Sequence, residues 1–150
     1  MRFLTVIGFL LGVYTTHATA DCWVVANLSG YGASYDGHYE FDKDRFTNGV
    51  FQVSINEKDG NITSAGESIV AEGMFYMPVS SDTLIGLYSD DRLTTVETWS
   101  ITRDKKVLYT KVINSSDNTW STSRSMTGDV VGHCNSTQAD ETAPSKEKLK

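Results

Sequence analysis

Three ionisable side chains, Glu97, Lys111 and Arg124, sit in a stretch from Arg92 to Cys134 that is otherwise rich in β-branched and aromatic residues. A carboxylate beside two cations can orient a polar ligand group. It can also act as an acid or base, since partial burial raises a carboxyl pKa while Lys111 or Arg124 would lower it. The other chemistry-bearing residues are sparse. Beyond residue 20 the chain has two histidines, His38 and His133, and two cysteines, Cys22 and Cys134. It contains no G-x-S-x-G elbow, H-E-x-x-H pair or phosphate-binding glycine loop. His38, Glu40, Asp42 and Asp44 alternate along one face, but an extended row spreads metal ligands about 7 Å apart, so a solvated strand face is expected there. Glu57 to Asn61 lacks the spacing of a calcium loop. No metal and no cofactor is expected.

The segments that carry the three charges read as consecutive antiparallel strands. From Leu93 to Thr102 the odd positions Leu93, Thr95, Glu97, Trp99 and Ile101 are the more apolar set and are assigned inward. The second segment, Val107 to Asn114, presents Val107, Tyr109, Lys111 and Ile113. With Ile101 opposite Val107, Trp99 faces Tyr109 and Glu97 faces Lys111, each pair favourable by roughly 0.2–1 kcal/mol. A slip of one residue loses both pairs and flips the face. The third segment starts at Trp120; pairing Trp120 with Ile113 sets Arg124 opposite Tyr109 and Met126 opposite Val107. One face then runs across three strands, apolar except for Glu97, Lys111 and Arg124. Three readings of those charges stand: a pair snorkelling to water at an open sheet end, a polar cluster lining a ligand cavity, or an inverted face with Val96, Leu108 and Val112 inward.

The two cysteines define what positions these strands. A disulfide is the default for the pair in an oxidising compartment. It would close nearly the whole domain as one loop and hold the first and last strands together, which a closed barrel or two packed sheets allow and an open meander does not.

The remaining segments fit the same class. Residues 1–20 read as a secretory signal peptide: Arg2, an apolar run from Phe3 to Val13, and Ala18-Thr19-Ala20 before the cleavage point. Cys22 to Leu28 is a first strand with Cys22, Val24, Ala26 and Leu28 on one face. Ser29 to Gly37 is a Gly- and Tyr-rich loop, a composition that also suits contact surfaces. His38 to Asp44 alternates, with Tyr39 and Phe41 pointing one way. An Asn48-Gly49 turn precedes an inward Phe51, Val53 and Ile55, and Asp59-Gly60 suits a type I′ hairpin. From Ile62 to Val79, Ile69, Ala71, Gly73, Phe75, Met77 and Val79 share a face, with bends at Gly66 and Gly73. Leu84 to Tyr88 is a further strand. Turns recur every 8–12 residues or so, as in an all-β sandwich or barrel. Residues 135–150 are polar and read as a disordered tail. Sequons begin at Asn27, Asn61, Asn114 and Asn135.

The expectation is therefore an all-β domain over residues 21–134, an antiparallel meander of eight or nine strands closed as a small barrel, with a two-sheet sandwich as the alternative, and a Cys22–Cys134 disulfide. The layout resembles lipocalin-like and other small secreted barrels in architecture only, because the G-x-W signature of the first lipocalin strand is absent; architecture alone assigns no function. The formal net charge of −6, one unit more negative without Arg2, and the lack of a basic stripe argue against nucleic acid and against anionic membrane surfaces. No later segment is apolar enough for a stable membrane anchor. A soluble monomer, secreted or periplasmic, is expected.

For function, the leading expectation is non-enzymatic binding of a small or extended apolar ligand in or at the mouth of the barrel, lined by Trp99, Tyr109, Trp120 and Met126 and oriented by Glu97, Lys111 and Arg124. The alternative is a protein-interaction module, of inhibitor or adhesion type, acting through exposed loops such as Ser29 to Gly37. An enzyme using Glu97 is the third option. A filled interior favours loops; an empty one favours a ligand.

Overall fold

A computed structural model of the chain describes residues 21–46, 49–64, 67–68 and 74–134. The expected leader and tail, and the expectations placed on Asn48, Gly66, Ile69, Ala71 and Gly73, lie outside the described residues. The described residues form strands and turns without a helix: β1 (Asp21–Ser34), β2 (Asp42–Arg45), β3 (Val50–Ile55), β4 (Gly60–Ser64), β5 (Glu67–Ser68), β6 (Phe75–Ser80), β7 (Thr83–Ser89), β8 (Leu93–Ile101), β9 (Lys106–Ser115) and β10 (Thr122–His133).

All pairings are antiparallel, and nine strands follow one path, β5-β4-β3-β1-β10-β9-β8-β7-β6, with short β2 paired to β1 beside it. Every neighbour on the path is consecutive in sequence apart from β1 with β10 and the step over β2. The sheet is thus a meander whose first and last strands meet. It curls until β4 lies beside β6, giving a nearly closed barrel. Cys22 and Cys134 are disulfide-bonded at the β1–β10 seam, with Cα atoms 5.3 Å apart, and the Cys134 N–H donates to the Cys22 carbonyl. The geometry is what this crosslink demands of the two ends.

The inward face is the one alternation selects. Thr95, Glu97, Trp99 and Ile101 of β8 are buried, as are Val107 and Tyr109 of β9, whereas Val96, Leu108 and Val112 are exposed. Phe51, Val53 and Ile55 are buried on β3. The β8–β9 register is Ile101 with Val107, Trp99 with Tyr109 and Glu97 with Lys111.

The sequence reading departs from the structure at several points. On β10 the register is two residues on from the expected one: Thr122 faces Ile113, Arg124 faces Lys111 and Met126 faces Tyr109. A two-residue shift keeps the face but moves Trp120 out of the strand, because Ser115 to Ser121 closes as a compact hydrogen-bonded loop. β1 runs on through Ser34, and the register slips between Val24 and Val25 and again between Ala26 and Ser29. Asn27 has φ 60° there, so Val25 and Leu28 face the core rather than an unbroken Cys22-Val24-Ala26-Leu28 row.

Glycines 30 and 32 serve close approach within β1, not a loop; a Cβ on Gly30 would lie 2.1 Å from the Ser125 carbonyl oxygen. His38 to Asp44 is no single strand. His38 and Tyr39 have positive φ in a turn that bonds Tyr39 N–H to the Ser34 carbonyl, and Tyr39 and Phe41 are exposed. The β3–β4 turn spans Asn56 to Asp59, closed by Asn56 Oδ1 accepting from Lys58 and Asp59 N–H. Asp59 does not adopt positive φ, so the turn is not type I′. On β6 Phe75, Met77 and Val79 face outward and Tyr76 inward.

Candidate functional site

The pleat stacks inward residues in rows across neighbouring strands. One row reads Leu84, Trp99, Tyr109, Met126 and Gly30, from β7 to β1. It is closed by aromatic rings: Trp99 and Tyr109 centroids are 4.5 Å apart, Phe51 is 5.4 Å from Trp99, and Phe46 is 5.8 Å from Tyr109. The next row, one step toward the Ser34 end of β1, reads Gly86, Glu97, Lys111, Arg124 and Gly32. The three charges seen in the sequence therefore do come together, bracketed by residues without side chains.

Each flanking glycine makes room for a partner from another strand. At Gly86 a Cβ would lie 2.7 Å from the Tyr76 ring, and at Gly32 it would lie 2.9 Å from Asp44 Oδ2. Through those gaps the Tyr76 hydroxyl donates to Glu97 Oε1, and Asp44 Oδ2 reaches Arg124 Nε at 2.9 Å. Trp99 Nε1–H donates to the same Glu97 oxygen at 3.1 Å, and Lys111 Nζ meets Oε2 at 3.0 Å. The Arg124 guanidinium also lies 5.9 Å from the Phe46 ring centroid. Burial, then the hydrogen bond to Glu97, pushes the Tyr76 phenol well above its ordinary pKa; burial, then the Glu97 charge, does the same to Tyr109. Neither phenol is a proton donor to water near neutrality. The carboxylate is enclosed by donors from three strands, which fixes its position.

Among the described residues, Trp99, Tyr109 and Met126 are each 3% exposed or less, so no water-sized space adjoins them. A Cβ on Gly128 would meet Leu28 and Val107 side-chain atoms at 3.0 Å, and one on Gly60 would meet Leu84 at 2.3 Å. At these two glycines the neighbouring side chains leave no room for an added carbon.

Trp120 stands apart from its expected companions. It is 74% exposed at the end of the barrel opposite the disulfide, in the loop between β9 and β10. That loop is tightly fixed. Ser115 Oγ donates to Asp117 Oδ1 and accepts the Trp120 N–H. Asp117 Oδ1 further accepts the N–H and hydroxyl of Thr119. The Ser115 N–H donates to Ser121 Oγ, and both serines are buried. Asn118, with φ 64°, supplies the reversal.

The β7–β8 turn beside it is held in the same manner, by Asp90 accepting from Arg92 N–H, Leu93 N–H and the Tyr88 hydroxyl. Backbone bonds join the loops: Ser116 N–H to the Arg92 carbonyl, and Tyr35 N–H, from the turn after β1, to the Ser121 carbonyl. A cleft of about 390 Å³ opens between Tyr88, Asp90, Arg92, Asp117 and Trp120. Tyr35 and Tyr39 stand exposed on the adjoining turn, in edge contact at 6.3 Å.

Sequence reasoning placed Glu97, Trp99, Tyr109, Lys111, Arg124 and Met126 on one face, where they are. It missed Tyr76 and Asp44, which come from strands whose phase or extent was misread, and it missed Asp90, Arg92 and Asp117. The signal for the last group was present: Ser and Asp spaced two apart within short polar loops are the residues that bond their own backbone.

Among the described residues no three His, Cys, Asp or Glu side chains converge as a metal site. No protein-family model, curated protein or solved structure matches the chain. The described residues define a small, nearly closed antiparallel barrel with a disulfide at its β1–β10 seam, a charge-braced inner face and an exposed tryptophan on a hydrogen-bonded loop end.

Proposed function

We propose that the protein is an exported, non-enzymatic protein-interaction module that binds its partner through the loop end carrying Trp120. One observation carries this reading: the largest exposed apolar side chain is held on a loop fixed by a dense set of hydrogen bonds. Exposing an indole is unfavourable in the free protein, and fixing a loop costs conformational entropy. Both costs are offset when a partner buries the indole without further ordering, which is how preorganised aromatic anchors act. Tyr35, Tyr39 and Phe41, exposed on the neighbouring turn, extend the same aromatic surface. The disulfide is compatible with an extracellular setting.

An apolar guest inside the barrel has less in its favour, because Trp99, Tyr109 and Met126, its expected lining, are each 3% exposed or less against the other described residues. The test is retention of a partner from the host's own extracellular fluid, with cross-linking to locate the contact. Wild type should retain a partner cross-linked at residues 35–41, 90–92 or 116–121, and Trp120→Ala should weaken it by about 2 kcal/mol or more, the scale of an aromatic hot spot, with an unchanged melting temperature. Equal retention by Trp120→Ala would sink the reading.

A further inference from the structure

The cleft beside Trp120 has a chemistry of its own. Its walls are the Trp120 indole and Tyr88, and its carboxylates are Asp90 and Asp117. Both oxygens of Asp90 and Oδ1 of Asp117 already accept hydrogen bonds from their own loops. Both carboxylates therefore keep their negative charge, and Asp90 has little accepting capacity left for a hydroxylated ligand. A sugar ring, which stacks on indoles but also needs open acceptors, fits this poorly. A cation fits well, since it is drawn by charge and by the faces of the rings without needing every lone pair.

The surroundings have the same sign. Residues 35–42, 90–92 and 116–121, which lie at this end of the barrel, contain six carboxylates and one arginine, Arg92, with Lys43 following directly. Arg92 lies in the cleft itself and offsets part of that charge.

We infer, on the footing of the loop-end reading above, that the partner is a protein presenting a basic side chain, arginine or lysine, which enters the cleft between Trp120 and Tyr88. The acidic rim steers that basic surface in, and the indole supplies the contact that holds it. Selectivity follows from charge: acidic partners are repelled by the rim, and neutral ones gain stacking alone.

The experiment uses the full chain, isotope-labelled, with six-residue peptides as probes: Arg-Gly, Lys-Gly, Glu-Gly and Ser-Gly repeats, plus a methyl glycoside. The Arg-Gly peptide should shift the Trp120 indole N–H and the amides of Arg92, Leu93 and Ser116. Affinity should fall about fivefold between 50 and 300 mM salt, because screening shortens the reach of the rim charges. Trp120→Ala should remove the response. Asp91→Asn, which lowers the charge without touching the Asp90 or Asp117 hydrogen bonds, should weaken it with the fold intact.

Stronger shifts from the Ser-Gly peptide or the glycoside than from the basic peptides would overturn the basic partner and leave the loop end standing as the binding surface. Shifts from the basic peptides confined to other residues would overturn the cleft. No response at Trp120 to any probe, together with equal partner retention by Trp120→Ala, would remove both readings.

Discussion

Glu97 and Lys111 form a pair whose two members are unequally placed: their side chains are 4% and 24% exposed. The carboxylate is enclosed, while the ammonium has a path to water. Removing one partner therefore differs from removing the other. Glu97→Gln leaves a lysine that can extend toward solvent, at a cost of about 1–2 kcal/mol from lost charge-assisted bonds. Lys111→Met leaves a buried carboxylate without its counter-ion, held by neutral donors such as Tyr76 and Trp99, at a cost of about 3 kcal/mol or more. Chemical denaturation of the two variants checks the order; equal costs, or a larger cost for Glu97→Gln, would mean that the lysine is as enclosed as the acid. The opposition of these residues was legible in the sequence because alternation and one charge pair agree on a single register. Their outer partners were not. Tyr76 belongs to a strand whose apolar residues Phe75, Met77 and Val79 point outward, so hydrophobic alternation gave the wrong phase. Asp44 lies on a four-residue strand, too short for any period to register.

At the scale of elements, the loops are held by carboxylates. Asp90 is kept below the usual carboxyl range by the Tyr88 hydroxyl and then by the N–H groups of Arg92 and Leu93. Asp117 is kept low by the hydroxyls of Thr119 and Ser115 and then by the Thr119 N–H. A depressed folded pKa contributes stability that is complete above the unfolded value of 3.8 and is lost as pH falls through the lower folded value. Both loops should thus keep their shape at pH 4 and loosen only below 3.8. Amide shifts of Arg92, Leu93 and Thr119 followed against pH should show midpoints under that value; midpoints at or above it would argue that the hydrogen bonds do not persist in solution. In the sequence the polar composition of these segments marks turns, but does not show that they are fixed. The difference lies in side-chain-to-backbone bonds, which composition suggests and only the backbone path establishes. The same applies to Trp120: its aromatic character placed it in the core, and a two-residue change of register put it in water.

For the whole molecule, closure is the property that the cysteines made readable. Their positions at the two ends of the domain required β1 and β10 to meet, and a meander with adjoining ends is a barrel. The bridge spans a sequence separation of 112 residues, so in the chain-entropy picture it restricts nearly the entire unfolded domain. The expected contribution is about 4–5 kcal/mol. Cys134→Ser should then lower the melting temperature by more than about 10 °C under oxidising conditions, and a reducing agent should lower that of the parent to a similar value. The loop end lies at the far end of the strands from the disulfide, and its hydrogen bonds do not involve either cysteine. Below its own melting point the variant should therefore still show the Trp120 indole signal at its parental position. A variant that melts with the parent would mean that β1–β10 pairing alone determines closure. A variant that folds but loses the Trp120 signal would mean that the crosslink also shapes the binding end.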